Sequence, residues 1–180
     1  MQPLIVTLKI DDGAFCRLDE LRRQYFPPKR NLVPAHLTLF HNLPGEHEDT
    51  IQGDLEMICS ARAQFELDVS GLRFLGRGVA IDVHSRELLE VRSALAKTWS
   101  GWLTPQDRQS FRPHVTISNK LPPETAKELY RQLQLEFEPV RATGAGLSLW
   151  RYLGGPWSLA QDFSFSTAGA SLPAQDHGDG

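Results

Sequence analysis

Two histidines stand in the same short context at two places in the chain. Pro34-Ala35-His36-Leu37-Thr38-Leu39-Phe40 returns as Arg112-Pro113-His114-Val115-Thr116-Ile117-Ser118. Each copy reads His, apolar, Thr, apolar, with a proline one or two residues upstream. On a strand, side chains at i and i+2 share a face. His36 and Thr38 therefore point one way while Leu37 and Leu39 point into a core, and His114 and Thr116 do the same against Val115 and Ile117. Paired imidazoles suit phosphoryl chemistry. One takes a proton from the attacking group while the other gives one to the leaving oxygen, and an ordinary histidine pKa near 6.5 lets both forms coexist. Threonine hydroxyls can donate to the non-bridging phosphate oxygens. A metal centre fits less well. His36 and His41, five apart in or near a strand, are expected on opposite faces, and no Asp, Glu or Cys stands two or four residues from either motif histidine.

The elements that must position these motifs are legible from periodicity. Leu4 to Ile10 reads as a strand, and Phe15 to Tyr25 as a helix ended by Pro27-Pro28. A loop over Pro28 to Pro34 carries Lys29 and Arg30. His36 to His41 is a short strand, Asn42 to Glu46 a turn, and Asp49 to Arg62 a helix. Phe65-Leu67-Val69 and Val79-Ile81-Val83 read as a hairpin with glycines between. Arg86 to Trp99 is an amphipathic helix with Leu88, Leu89, Val91, Leu95 and Trp99 on its apolar face. A polar loop over Thr104 to Arg112 precedes a strand at His114 to Ser118, then a helix over Pro122 to Leu133. Leu135 to Val140, Gly146 to Tyr152 and Trp157 to Phe165 read as strands. This order predicts an α+β fold of two pseudo-symmetric lobes, each an antiparallel or mixed β-sheet with outer helices. If the halves are related by a pseudo-twofold, the two motif strands can lie side by side around one cleft.

The chain has 180 residues, 19 Lys and Arg against 22 Asp and Glu, and a net charge of -3. That balance argues against a protein that coats long nucleic acid, but it leaves room for a phosphorylated substrate in a local positive pocket. Cys16 and Cys59 are read as reduced and buried. No apolar run approaches the ~20 residues of a membrane span, and the first residues lack a signal-peptide pattern. The expectation is a cytoplasmic monomer without membrane or DNA partners. Residues 1–166 are expected to form one two-lobed domain, with 167–180 a disordered tail.

The two motifs resemble those of the 2H phosphoesterase superfamily, and within it the bacterial 2′-5′ RNA ligase-like branch. The stretch Leu147-Ser148-Leu149-Trp150-Arg151-Tyr152, with Trp157 and Phe163-Ser164-Phe165, is similar to that branch's closing strands. The resemblance implies two lobes around a central groove and metal-independent hydrolysis of a 2′,3′-cyclic phosphate or related cyclic phosphodiester. It implies no cofactor, and a small nucleotide cyclic phosphate or an RNA 3′ end as ligand. His36 and His114 match the catalytic positions, Thr38 and Thr116 the substrate-binding ones. Phe40, at i+4 from His36, is expected either to stack on a base or to pack in the groove wall. Arg112 and Arg30, with Lys29 and Arg151, are the cations nearest the motifs or the closing strand. Trp150 and Tyr152 read as core or groove wall. His41, His47, His84 and His177 lack the repeated context and read as surface or structural. Two other readings remain open at this point: a 2′-5′ RNA ligase acting on RNA ends, and a non-catalytic module that binds cyclic phosphates.

Overall fold

A computed structural model describes residues 1–167 of the chain. The first half runs β1 (Leu4–Ile10), α1 (Asp12–Tyr25), β2 (Leu37–Leu43), α2 (Glu48–Ser60) and β3 (Phe65–Phe74). The second repeats that order with β4 (Val79–His84), α3 (Arg86–Thr98), β5 (His114–Ser118), α4 (Pro123–Glu136) and β6 (Val140–Tyr152), and β7 (Trp157–Ser164) closes it. All strand pairs are antiparallel, in one seven-stranded sheet ordered β2-β1-β6-β3-β4-β5, with β7 on β6.

The halves share this single sheet because β6 is long. Its first residues, Val140 to Gly144, pair with β3, and Gly144 to Arg151 pair with β1. Leu135 to Val140 is therefore not a separate strand. The apolar spacing of α4 carries the helix through Glu136, with Leu133 buried, and extended pairing begins at Val140. The motif strands β2 and β5 are not ladder neighbours either. They are the two ends of the strand path, and the sheet curls until they meet.

The helices follow their apolar stripes with small differences at the ends. Asp11 caps α1, its side chain accepting from Ala14 N, so the helix starts at Asp12 and takes Asp12-Gly13 into its first turn. Leu88, Val91 and Leu95 of α3 are buried, but Leu89 is 46% exposed, because it lies at the flank of the stripe. Cys59 is buried in α2, and burial pushes its thiol up to about 12, whereas Cys16 faces outward from α1; both are free. Nearly the whole of the expected tail, including His177, lies outside the described residues. Among those described, no helix is long and apolar enough to cross a membrane.

Two buried arginines fasten the curl. Arg22 of α1 is 4% exposed and donates from Nη1 to the Thr116 carbonyl of β5 at 2.6 Å. Arg92 of α3 is 6% exposed and donates from Nε to the Leu39 carbonyl of β2 at 2.7 Å and from Nη2 to the Asp107 carbonyl at 2.5 Å. Each guanidinium lies over an aromatic ring, Arg22 over Phe26 and Arg92 over Phe40. Each thus reaches from a helix of one half to the motif strand of the other. Arg92→Ala strands two carbonyls in the interior and is expected to cost about 3 kcal/mol, read from the urea midpoint. Arg92→Lys is expected to recover little, because one ammonium cannot serve both carbonyls from the position of a planar fork. A loss below about 1 kcal/mol for Arg92→Ala contradicts this role.

Candidate active site

Both motif strands carry the same irregularity. Thr7 stands opposite Thr38 and Val6 opposite Phe40, so Leu39 is an extra residue in β2. Ala80 stands opposite Thr116 and Val79 opposite Ser118, so Ile117 is the extra residue in β5. A bulge of this kind breaks the two-residue alternation. Its first effect is on Phe40, whose ring lies in the core at 0% exposure, edge-on to Trp99 at 4.9 Å and under Arg92. Phe40 is therefore unavailable to stack on a base, and the packing alternative holds.

The second effect is on His41. A further shift between Phe40 and Leu43 sets His41 and Asn42 together opposite Ile5. Directly opposed residues share a sheet face, so His41 returns to the face of Thr38, and the two line one small cavity with Trp157. The expectation that His36 and His41 point to opposite faces fails for this reason. Asp107, buried in the loop after α3, accepts from the backbone N–H groups of His41 and Asn42 at 2.9 and 3.1 Å, and from His41 Nδ1 at 2.9 Å. Burial works to raise the Asp107 pKa, but the hydrogen bonds from His41 and Asn42 outweigh it and hold the carboxyl below its usual value. Nothing in the loop sequence marks Asp107 as the partner of this strand.

The two motif histidines are held identically. His36 Nδ1 lies 2.7 Å from the Pro34 carbonyl, and His114 Nδ1 lies 2.8 Å from the Arg112 carbonyl. A carbonyl only accepts, so the proton sits on Nδ1 in both rings and Nε2 is left for proton transfer. The Arg73 guanidinium, 3.4 Å from His114 Nδ1, cannot donate to a nitrogen already carrying a proton and acts there as a neighbouring charge. Neither Thr38 nor Thr116 uses its hydroxyl in a hydrogen bond among the described residues. The Trp157 ring lies 4.6 Å from that of His36. Burial pushes the pKa of His36 down to about 4, against the pull of the Pro34 hydrogen bond, and the charges of Arg22, His41 and His114 add to the depression. The strands of these two motifs, β2 and β5, meet across the groove.

Beside His36 lies a cavity of about 300 Å³ walled by Phe15, Leu32, Trp150, Trp157 and Leu159. The register puts Thr7 and Ser148 on the face of Thr38, and Trp150 opposite Leu159, so this cavity opens on the motif face. Lys9 and Asp162 in its wall are paired at 2.8 Å, Asp162 also accepts from Ser148, and Asp12 lines the cavity without an ion pair among the described residues. On the other side, Arg73 of β3 stands opposite Ala80, and Asp82 opposite His114, which puts Arg73 and Asp82 on the motif face as an ion pair. Alternation continued from Phe65, Leu67 and Val69 puts Arg73 on the core face, and a register shift between Val69 and Leu72 turns it to the motif face instead. Of the other cations, Arg112 borders the His114 side, Arg151 is tied to Glu48 and Arg30 is exposed in a 3-10 turn. Lys29 shares that exposed turn.

A curled antiparallel sheet with a His-x-Thr motif at each end of its strand path and both imidazoles in one groove is the design of a two-histidine phosphoesterase. Residues 10–156 match the 2′-5′ RNA ligase superfamily, and the chain belongs to that family. Among solved structures it is similar to TT0787 of Thermus thermophilus, with a TM-score of 0.68 and 18% identity over 92% of this chain and 99% of that one. It is also similar to E. coli LigT complexed with 3′-AMP, with a TM-score of 0.61 and 16% identity over 92% and 99% of the two chains. A structure of LigT complexed with phosphate aligns at a TM-score of 0.60 and 17% identity, over 92% and 98%. At these identities the likeness concerns the fold. Curated protein sequences give no match to this chain.

The low His36 pKa has a consequence for stability. Unfolded, the ring titrates near 6.5; folded, near 4. Between those values the unfolded chain binds more protons, so stability falls as pH drops through that window. His36→Asn removes this linkage. From pH 7 to about pH 4, wild type is expected to lose ~2 kcal/mol more than the variant, after allowance for the ring's partial exposure. Chemical denaturation at both pH values measures it, and equal losses refute it.

Proposed function

We propose that the groove hydrolyses a 2′,3′-cyclic phosphodiester, at an RNA 3′ end or on a small nucleotide, without a metal. The observation that carries this reading is the identical anchoring of His36 and His114, each with Nδ1–H given to the carbonyl two residues upstream and Nε2 free. His36, kept neutral by burial, accepts a proton from water at Nε2 as the water oxygen bonds to phosphorus. The phosphodiester anion beside the ring raises its basicity when substrate arrives. His114 gives the proton on its Nε2 to the ribose oxygen as the P–O bond breaks. Thr38 and Thr116 donate their hydroxyls to the non-bridging oxygens, and Arg73 adds positive charge beside His114.

The aromatic cavity beside His36, which holds no unpaired cation among the described residues, suits a nucleobase. With the base at that end, O2′ faces His36 and O3′ faces His114, so O3′ leaves and the product is a 2′-phosphate. The LigT complexes with 3′-AMP and with phosphate support a nucleotide phosphate as ligand. Ligation through a 2′-5′ bond is the same displacement with the 5′-hydroxyl of a second RNA in place of water and O3′ again leaving, and the net charge of -3 counts against tight binding of long RNA.

Nucleoside 2′,3′-cyclic phosphates incubated with the protein in EDTA test this reading. Turnover to the 2′-phosphate is expected, with His36→Ala and His114→Ala each slowing it by about 10²–10⁴-fold while melting with wild type. Near-normal turnover in either variant overturns the paired-histidine mechanism. A parallel assay with RNA halves reads ligation, and joining without cyclic-phosphate hydrolysis overturns the assignment as a hydrolase.

A further inference from the structure

The groove is chemically lopsided. Its His36 end is aromatic, with Lys9 paired to Asp162 and Asp12 at the wall, while its His114 end is basic. There a cavity of about 440 Å³ is lined by Arg73, Arg86 and Arg112, together with His84 and the carboxylate of Asp82. Three arginines around one cavity are unexpected in a chain whose net charge is -3. Asp82 pairs with His114, and His84, two residues on in the same strand, shares its side; Val83 and Leu89 of α3 also line the cavity, which sits at the rim of the motif face.

The arginines differ in how far they are already committed. Arg73 is ion-paired to Asp82, yet its buried Nε has no hydrogen-bond partner among the described residues. Arg86 is exposed and paired to Glu90 at 3.0 Å across one helical turn. Arg112 is exposed and makes no ion pair among the described residues. Asp82 answers Arg73 and Glu90 answers Arg86, which leaves the Arg112 guanidinium as the cavity's unpaired positive charge among the described residues. Guanidinium groups are the side chains best matched to phosphate oxygens, through paired N–H donors.

The geometry of a ribose says what comes here. The base leaves the ring at C1′ and the 5′ substituent at C4′, on opposite flanks of the 2′,3′ edge. With the cyclic phosphate between the two histidines and the base in the aromatic cavity, C5′ is directed toward the His114 end. We propose that this basic cavity is a subsite for a second phosphate of the substrate, carried on O5′ of the same nucleoside. The substrate class is then a nucleotide with a 5′ phosphate, or an RNA end whose last internucleotide phosphate occupies that position, and not a bare nucleoside cyclic phosphate. This inference rests on the hydrolytic reading above for its orientation.

The test compares three substrates: adenosine 2′,3′-cyclic phosphate, the same molecule with a 5′ phosphate, and a diadenosine dinucleotide ending in a 2′,3′-cyclic phosphate. In wild type the second phosphate is expected to raise kcat/KM at least ~10-fold, mainly through KM, as one additional charge-assisted contact would. A gain with the 5′-phosphorylated mononucleotide alone assigns a phosphomonoester; a gain with the dinucleotide assigns an RNA end. In Arg112→Gln the preference should fall to about 2-fold or less, and Arg112→Lys should restore part of it. Equal kcat/KM for all three substrates in wild type, or a preference that survives both Arg112→Gln and Arg73→Gln, overturns the subsite. Calorimetry with adenosine 2′-monophosphate and adenosine 2′,5′-bisphosphate separates this from failure of the hydrolytic reading. Tighter bisphosphate binding that is lost in Arg112→Gln upholds the subsite even if no substrate turns over, and equal binding of the two ligands overturns it.

Discussion

Two guanidiniums buried between the halves hold this molecule in its working shape. The strand path from β2 to β5 has two ends, and here each end carries one of the histidine motifs. Left to ordinary twist, the ends would diverge. Arg22 and Arg92 bind them inward, each from the opposite half and each through a main-chain carbonyl of the motif strand. A carbonyl is a better target than a side chain for this purpose, because it fixes the path of the strand itself. The geometry of the groove is therefore set by hydrogen bonds lying in the core behind it. Burial brings the Arg22 pKa down to about 10, against the pull of Asp19, so the group still carries its charge at neutral pH.

The halves are also interlocked by their strands. β3 belongs to the first half in sequence but pairs with β4 and β6; β6 belongs to the second half but pairs with β1. Neither half has a complete sheet without the other. The groove follows from this exchange: aromatic residues of β6 and β7 line one end, while Arg73 of β3 and Asp82 of β4 line the other. The lopsided chemistry of the site and the crossed connectivity are two views of one arrangement.

Much of this was legible in the sequence where local rules decide. The repeated motif, the free faces of Thr38 and Thr116, the helix stripes and the position of β5 follow from periodicity. What was not legible depends on one extra residue in a strand. Alternation puts Phe40 in the groove and turns His41 away, and a bulge at Leu39 with a second shift after Phe40 reverses both. A bulge is a relation between two strands, so one strand read alone does not reveal it. A third shift, between Val69 and Leu72, likewise turns Arg73 to the motif face against the alternation of Phe65, Leu67 and Val69. The Asp107 contact spans 66 positions in the chain, and no spacing rule joins a loop carboxylate to an edge strand that far away. The single sheet was missed because a helix ending and a strand beginning lie within a few residues of each other near Val140.

The hydrogen bond from each imidazole to the carbonyl two residues before it spans only three residues. Many enzymes orient a histidine with a carboxylate from elsewhere in the fold, so that the two positions must change in concert. Here the orienting acceptor is main chain and is supplied by the same tripeptide, whatever side chains flank it. Each motif is in this sense self-sufficient: a copy placed at the edge of any suitable strand brings its tautomer with it. A site assembled from two such units needs only a fold that turns them toward each other.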